Sequence, residues 1–95
     1  MELAFSGEII YWRGPSPFHF VEVPEEQSAA IEAVSSLVTY GWGVIPADAT
    51  IGATEFHTAL FPRGEFYLVP IKVAVRKAES LELGDIAQIH LYLDA

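Results

Sequence analysis

Phe66-Tyr67-Leu68-Val69-Pro70, continued by Ile71-Lys72-Val73-Ala74-Val75-Arg76-Lys77-Ala78 and closed by Leu83-Gly84-Asp85, reads as a strand, a helix and a turn into a last strand. The aromatic and branched residues before Pro70 favour a pleated, half-buried surface. Pro70 suits a first helical position, where its missing N–H costs nothing. Ile71, Ala74, Val75 and Ala78 then fall at i, i+3, i+4 and i+7, which predicts one apolar face. Lys72 and Arg76 stand four apart on the opposite face, with Glu79 three further on. Beyond the Gly84-Asp85 turn, residues 86–93 alternate. That period predicts Ala87, Ile89, Leu91 and Leu93 inside, with Gln88 and His90 outside.

Upstream, the same grammar repeats. Residues 3–12 read as a strand with Leu3, Phe5, Ile9 and Tyr11 on one face and Ser6 and Glu8 on the other. Gly7 interrupts the apolar face, as at a bulge or a close approach of another strand. Gly14-Pro15-Ser16-Pro17 is a turn, and residues 18–23 return as a second strand. Pro24 starts a helix with Glu25 and Glu26 in its first turn, where carboxylates complement the helix dipole. Its predicted stripe is Ala30, Ile31, Val34 and Leu37 or Val38. In the strand at 44–51, Ile45, Ala47, Ala49 and Ile51 face one way, and Pro46 predicts an edge or a bulge. Gly52-Ala53 connects tightly to a strand at 54–61, and Pro62-Arg63-Gly64-Glu65 turns that strand into Phe66.

Phe20-Val21-Glu22-Val23-Pro24 echoes Phe66-Tyr67-Leu68-Val69-Pro70, and each precedes a helix, a glycine-containing turn and a strand. The chain thus reads as a mainly β protein with two short helices. It is expected to be a barrel built from two copies of a β-α-β unit about a pseudo-twofold axis, and such closure removes exposed strand edges.

Composition bounds the function. The 95 residues predict one domain, 1–95, with 52% hydrophobic residues to supply a core. There is no cysteine, hence no disulfide, thiolate metal site or thiol nucleophile. Neither a signal-peptide pattern nor an apolar run long enough to span a bilayer is visible, which predicts a soluble cytoplasmic protein. The net charge of −8 opposes nucleic-acid binding, which depends on neutralising phosphates. Yet three of the five basic residues, Lys72, Arg76 and Lys77, fall within six positions.

Val69-Pro70, Val75-Arg76, Leu81 and Gly84-Asp85 followed by an alternating strand resemble the swapped-hairpin DNA-binding domains of the AbrB and MazE type. A longer set is similar to an uncharacterised prokaryotic family of unknown function. It comprises Thr50-Ile51-Gly52, Phe56-His57-Thr58-Ala59-Leu60-Phe61-Pro62, Tyr67-Leu68-Val69-Pro70-Ile71-Lys72, Val75-Arg76-Lys77-Ala78-Glu79 and Gly84-Asp85. That resemblance covers residues 41–93 well and the first 40 loosely. It implies a double-split β-barrel within one chain and no reaction, and Ala59 departs from the serine the family pattern leads one to expect.

Candidate sites are few. Lys72, Arg76 and Lys77 offer capture of an anion or a partner, Arg76 through its bidentate fork. The competing reading is a solvated helix face with Arg76 paired to Glu79 or Asp85, a contact of little energetic value. Trp12 and Arg13 precede one loop, and Tyr40 and Trp42 another. Together they would rim an aromatic pocket, or the two indoles would cap the barrel ends as core. His19, His57 and His90 lack short metal-ligand spacing. No serine elbow, phosphate loop or paired carboxylate stands out. No catalytic residue, metal or cofactor is therefore predicted. The order of expectation is a binding or interaction module with a protein partner or with itself, then an AbrB-like nucleic-acid binder using the Lys72/Arg76 helix, then a small-ligand protein or enzyme. No membrane contact is expected.

Overall fold

The computed structural model describes residues 1–14, 16–38 and 43–94. Six strands and two helices follow one another: β1 (Glu2–Tyr11), β2 (His19–Glu22), α1 (Glu25–Val38), β3 (Ile45–Ile51), β4 (Thr54–Arg63), β5 (Phe66–Pro70), α2 (Val73–Ala78) and β6 (Ile86–Tyr92). The strands close into an antiparallel barrel in the order β1-β2-β5-β4-β3-β6. Among the described residues no helix is long and apolar enough to cross a membrane.

Two long strands make closure possible by changing partner midway. Glu2–Glu8 of β1 pair with β6, and Ile9–Tyr11 pair with β2. Likewise Thr54–Leu60 of β4 pair with β3, and Phe61–Arg63 pair with β5. The barrel is split twice, at matching places. Exchanging β1-β2-α1-β3 with β4-β5-α2-β6 leaves the strand order unchanged, so the topology has a pseudo-twofold axis. That axis passes through the β2–β5 pairing, where Val21 faces Val69. Two backbone hydrogen bonds obey it: Val23 donates to the Tyr67 carbonyl (2.8 Å), and Ile71 donates to the His19 carbonyl (2.9 Å).

This symmetry corrects the sequence echo by two residues. Val21 corresponds to Val69, Phe20 to Leu68 and Val23 to Ile71, so Pro24 corresponds to Lys72 and not to Pro70. Pro70 is accordingly the last residue of β5 and does not start α2. Ile71, like Val23, is fully buried in the barrel. Burying it, and donating to His19, keeps the chain extended until Lys72, the N-cap residue (φ −65°, ψ 157°). The helix is then only 6 residues long against 14 in α1. Of its expected stripe Ile71 and Val75 are buried, whereas Ala74 and Ala78 are exposed.

The inward faces follow the period-2 pattern. Phe5, Ile9, Val21, Val69, Leu60, Ile45, Ala47, Ala49, Ile51, Ala87, Ile89, Leu91 and Leu93 meet in one core, joined by Ile31 from α1 and Val75 from α2. Tyr11 departs from its predicted inward place and is exposed at the end of β1. Phe18 leaves the second strand with a φ of +68°. The β4–β5 turn is shorter than the Pro62–Glu65 expected: Pro62 and Arg63 stay in the strand opposite Tyr67 and Phe66, leaving Gly64 (φ +62°) and Glu65 to turn. Pro46 lies where β3 has β4 on one side and no β6 partner on the other, so its missing N–H breaks no ladder there.

Gly7 faces Ala87 and lies against Val21 so closely that a Cβ would collide with the Val21 Cγ1 methyl. Gly7→Ala should destabilise the domain by about 1–3 kcal/mol through overpacking, read as a lower midpoint in urea with an unchanged slope. Ser28 is buried in α1, where its hydroxyl donates to the Val23 carbonyl (2.9 Å) and accepts from the Tyr67 amide (3.2 Å). Ser28→Ala should cost about 1–3 kcal/mol by leaving the Tyr67 N–H unsatisfied, and the same denaturation experiment measures it.

Candidate functional site

The short helix α2 presents the basic cluster. Lys72 and Lys77 are exposed, and the Lys72 side chain makes no capping hydrogen bond. Arg76 is half-buried, and its Nη1 donates to the Ile71 carbonyl at 2.5 Å. Arg76 occupies the place that Ser28 has in α1, and Ile71 the place of Val23. Each half of the molecule therefore ties its helix to the carbonyl of the residue that ends the preceding extended segment. The arginine thus has a structural duty that sequence spacing did not reveal.

The partners expected for Arg76 are engaged elsewhere. Glu79 Oε2 accepts from the Thr54 hydroxyl at 2.5 Å, and its carboxylate lies over the β3–β4 turn. Gly52 takes a φ of +58° there and leaves no room for a Cβ beneath Glu79. Asp85 Oδ2 accepts from the Glu82 amide at 2.8 Å. Among the described residues the one side-chain contact of a basic group with a carboxylate joins His57 to Asp48 across β3 and β4. Lys72 and Lys77 are thus exposed and, among the described residues, form no ion pair.

Val73 and Leu81 share a groove of about 350 Å³ with Arg76, Lys77, Ser80 and Glu82. Other exposed apolar side chains sit on neighbouring segments. The Gly84 amide donates to the Ile9 carbonyl (2.9 Å) and the Ile9 amide to the Asp85 carbonyl (2.8 Å), which lays the α2–β6 connection alongside the end of β1. The Ile71–His19 hydrogen bond brings the start of α2 beside Phe18 and His19. Tyr11 bridges the two, its ring centroid 6.3 Å from Phe18 and 5.9 Å from His19. Tyr11, Phe18, Val73, Leu83 and Ile86 are each between 39% and 65% exposed.

Trp12 belongs to a different structure. Its ring packs 5.4 Å from Phe20 and 5.9 Å from Phe61, with the Arg63 guanidinium 4.7 Å over its face. Phe20 and Leu68 are fully buried yet outside the barrel core, so β2 and β5 are covered on both faces. Trp12 is neither a barrel-end cap nor a free pocket wall; it shields the outer face of the short strands. Gly14 permits this, because a Cβ there would come within 2.7–2.8 Å of the indole. Arg13 is exposed beside it, and Tyr40 and Trp42 lie outside the described residues. His19 is 3.2 Å from the Pro17 carbonyl, and His90 points outward from β6. Among the described residues no group of three His, Asp or Glu side chains is placed to hold a metal ion.

With this geometry in view, comparison with known proteins adds a family and no activity. Residues 5–91 match a domain of unknown function, DUF1905. The chain belongs to that family. No curated protein and no solved structure matches it. The DUF1905 match spans both halves of the barrel, including the first strands that sequence resemblance reached only loosely.

Sequence reasoning also missed one polar contact in this DUF1905 domain. Tyr67 is buried beside α1, and its hydroxyl donates to Glu32 Oε2 at 2.8 Å. Burial, and then the Glu32 carboxylate, push the Tyr67 phenol up from its ordinary value of 10 to about 12. A raised value in the folded state means stability that is complete below pH 10 and is lost as pH climbs toward 12. Denaturation midpoints should therefore fall across that window, and Tyr67→Phe should flatten this contribution at a cost of about 1 kcal/mol at neutral pH.

Proposed function

We propose that this domain is a non-catalytic binding module that contacts an anionic partner through the α2 surface. One observation carries it: among the described residues neither Lys72 nor Lys77 is ion-paired, and Lys77 lines a groove with Val73, Leu81 and Glu82 while Lys72 stands exposed at the start of the same helix. A cation beside exposed apolar surface supplies both steering and burial on contact. The bland account, that basic residues in the last turn complement the helix dipole, covers Lys77 but not Lys72 at the N-cap.

An AbrB-like grip on DNA would ask more of the fold than it offers. The pseudo-twofold presents the basic helix once, since α1 carries Glu25, Glu26 and Glu32. Arg76, moreover, spends one guanidinium nitrogen on Ile71. Two free lysines would give a log–log salt slope of roughly −2, well short of a strong DNA binder with its 6–10 or so phosphate contacts.

Isotope-labelled protein titrated at low salt with polyglutamate and with heparin tests the surface. Amide shifts should concentrate in residues 71–82, and Lys72→Gln with Lys77→Gln should weaken binding roughly three- to tenfold. Shifts that avoid α2 would sink the proposal.

A further inference from the structure

The split between β4 and β5 holds a second site, and we propose that it captures the C-terminal end of an extended, apolar polypeptide segment. A cavity of about 430 Å³ lies there, with Pro17, His57, Ala59, Phe61, Pro70 and Lys72 in its walls. It shares Lys72 with the α2 surface proposed above and does not depend on the groove beside Lys77.

Backbone register explains what the cavity offers. The two-residue Gly52-Ala53 turn closes on the Ile51–Thr54 pair, so Thr54, Phe56, Thr58 and Leu60 exchange hydrogen bonds with β3. Glu55, His57 and Ala59 therefore direct their main-chain groups away from β3, toward the split. Counting back from Phe61 opposite Leu68, the residue in register with Ala59 is Pro70. Proline has no N–H to give the Ala59 carbonyl, and the β4–β5 ladder stops at Phe61. Opposite His57 the same register places Lys72, which has already left the strand as the N-cap residue of α2. Among the described residues the His57 amide and carbonyl have no hydrogen-bond partner. An open strand edge of this kind takes up an added extended segment by main-chain pairing.

Three features choose the occupant. The open stretch is short, because β5 takes the edge from Phe61 onward and the Glu79–Thr54 contact holds the end of α2 beside the β3–β4 turn. A strand running through is blocked at both places, whereas a chain end can enter. Charge then selects which end. Lys72 forms no ion pair among the described residues, and no carboxylate lines this cavity, whereas the cavities over β3, beside α1 and beside α2 all have one. Asp48 and Glu55, the acids near His57 in register, line the cavity over β3, and Asp48 is engaged by the His57 ring. A terminal carboxylate thus finds an opposite charge here, and a terminal ammonium finds a like one. Finally, Pro17, Phe61 and Pro70 make the walls largely apolar, which suits an apolar last side chain.

Four probes added to isotope-labelled protein separate the possibilities: a short acetylated peptide of uncharged residues ending in Val-Phe with a free carboxylate, the same peptide as its C-terminal amide, 3-phenylpropionate and inorganic phosphate. The free-acid peptide should shift residues 57–61 and 70–72, slow hydrogen exchange at the His57 amide, and bind about tenfold tighter than its amide. Lys72→Gln, at an exposed position, should remove that preference, and Lys77→Gln should leave it unchanged. Equal binding of the two peptides overturns the proposal. A preference that Lys77→Gln removes overturns it too, and assigns the anion to the α2 surface instead. If 3-phenylpropionate binds as tightly as the peptide without slowing exchange at His57, or if phosphate binds tighter, the peptide end is the wrong occupant. No shift at 57–61 with any probe removes the site and leaves the α2 surface to its own titration.

Discussion

The antiparallel pairing of β2 with β5, centred on Val21 opposite Val69, is the contact on which the rest of the barrel depends. It joins the two halves at one end, as β3 and β6 do at the other. Because β1 and β4 each give their last three residues to this end, it draws both long strands out of the larger sheet. Every strand then has two neighbouring strands, and open edges are confined to the stretches where the barrel splits, such as that of Pro46. The cost of crowding falls on Gly7, which must lack a side chain where Val21 crosses β1. It falls also on the outer face, where Trp12 has to cover Phe20 and Leu68.

The two helices occupy equivalent places and have diverged in what they carry. Ser28 and Arg76 do the same job, donating to the carbonyl that ends the preceding extended segment, with different side chains. In α1 a hydroxyl suffices because the 14-residue helix is also fixed by Ile31 and by the Tyr67–Glu32 contact. In α2 the helix is 6 residues long and buries little, so a longer donor and the Glu79–Thr54 contact hold it. A short helix cannot be stable by propensity alone. These tethers leave Lys72 and Lys77 as the charged groups of α2 without a structural partner. The electrostatic asymmetry of the molecule thus follows from where its anchors sit.

Much of the barrel was legible in local pattern. The inward sets Ile45-Ala47-Ala49-Ile51 and Ala87-Ile89-Leu91-Leu93, the two-residue Gly52-Ala53 connection and the closeness at Gly7 all follow from period-2 alternation and glycine punctuation. The helix at Pro70 was misplaced because Ile71 fits a helical stripe as well as a strand end. Only its contact with His19 distinguishes the two. Lys72, Arg76 and Lys77 were visible as a cluster, but the fate of Arg76 was not. Its natural partners in sequence, Glu79 and Asp85, bind Thr54 and the Glu82 amide instead.

By itself the sequence determined a mainly β fold with two helices, the inward face of most strands, and a −8 charge interrupted by one basic cluster. These properties depend on neighbours within about one turn or one hairpin, which the order of residues states directly. Tertiary structure alone decided that Pro24 answers to Lys72, that Ser28 and Arg76 are counterparts, and that Tyr11, Phe18, Val73, Leu83 and Ile86 share one end. Each of these depends on which strands meet across the barrel. That choice is made by closure, when the β2–β5 pairing brings together segments nearly fifty residues apart.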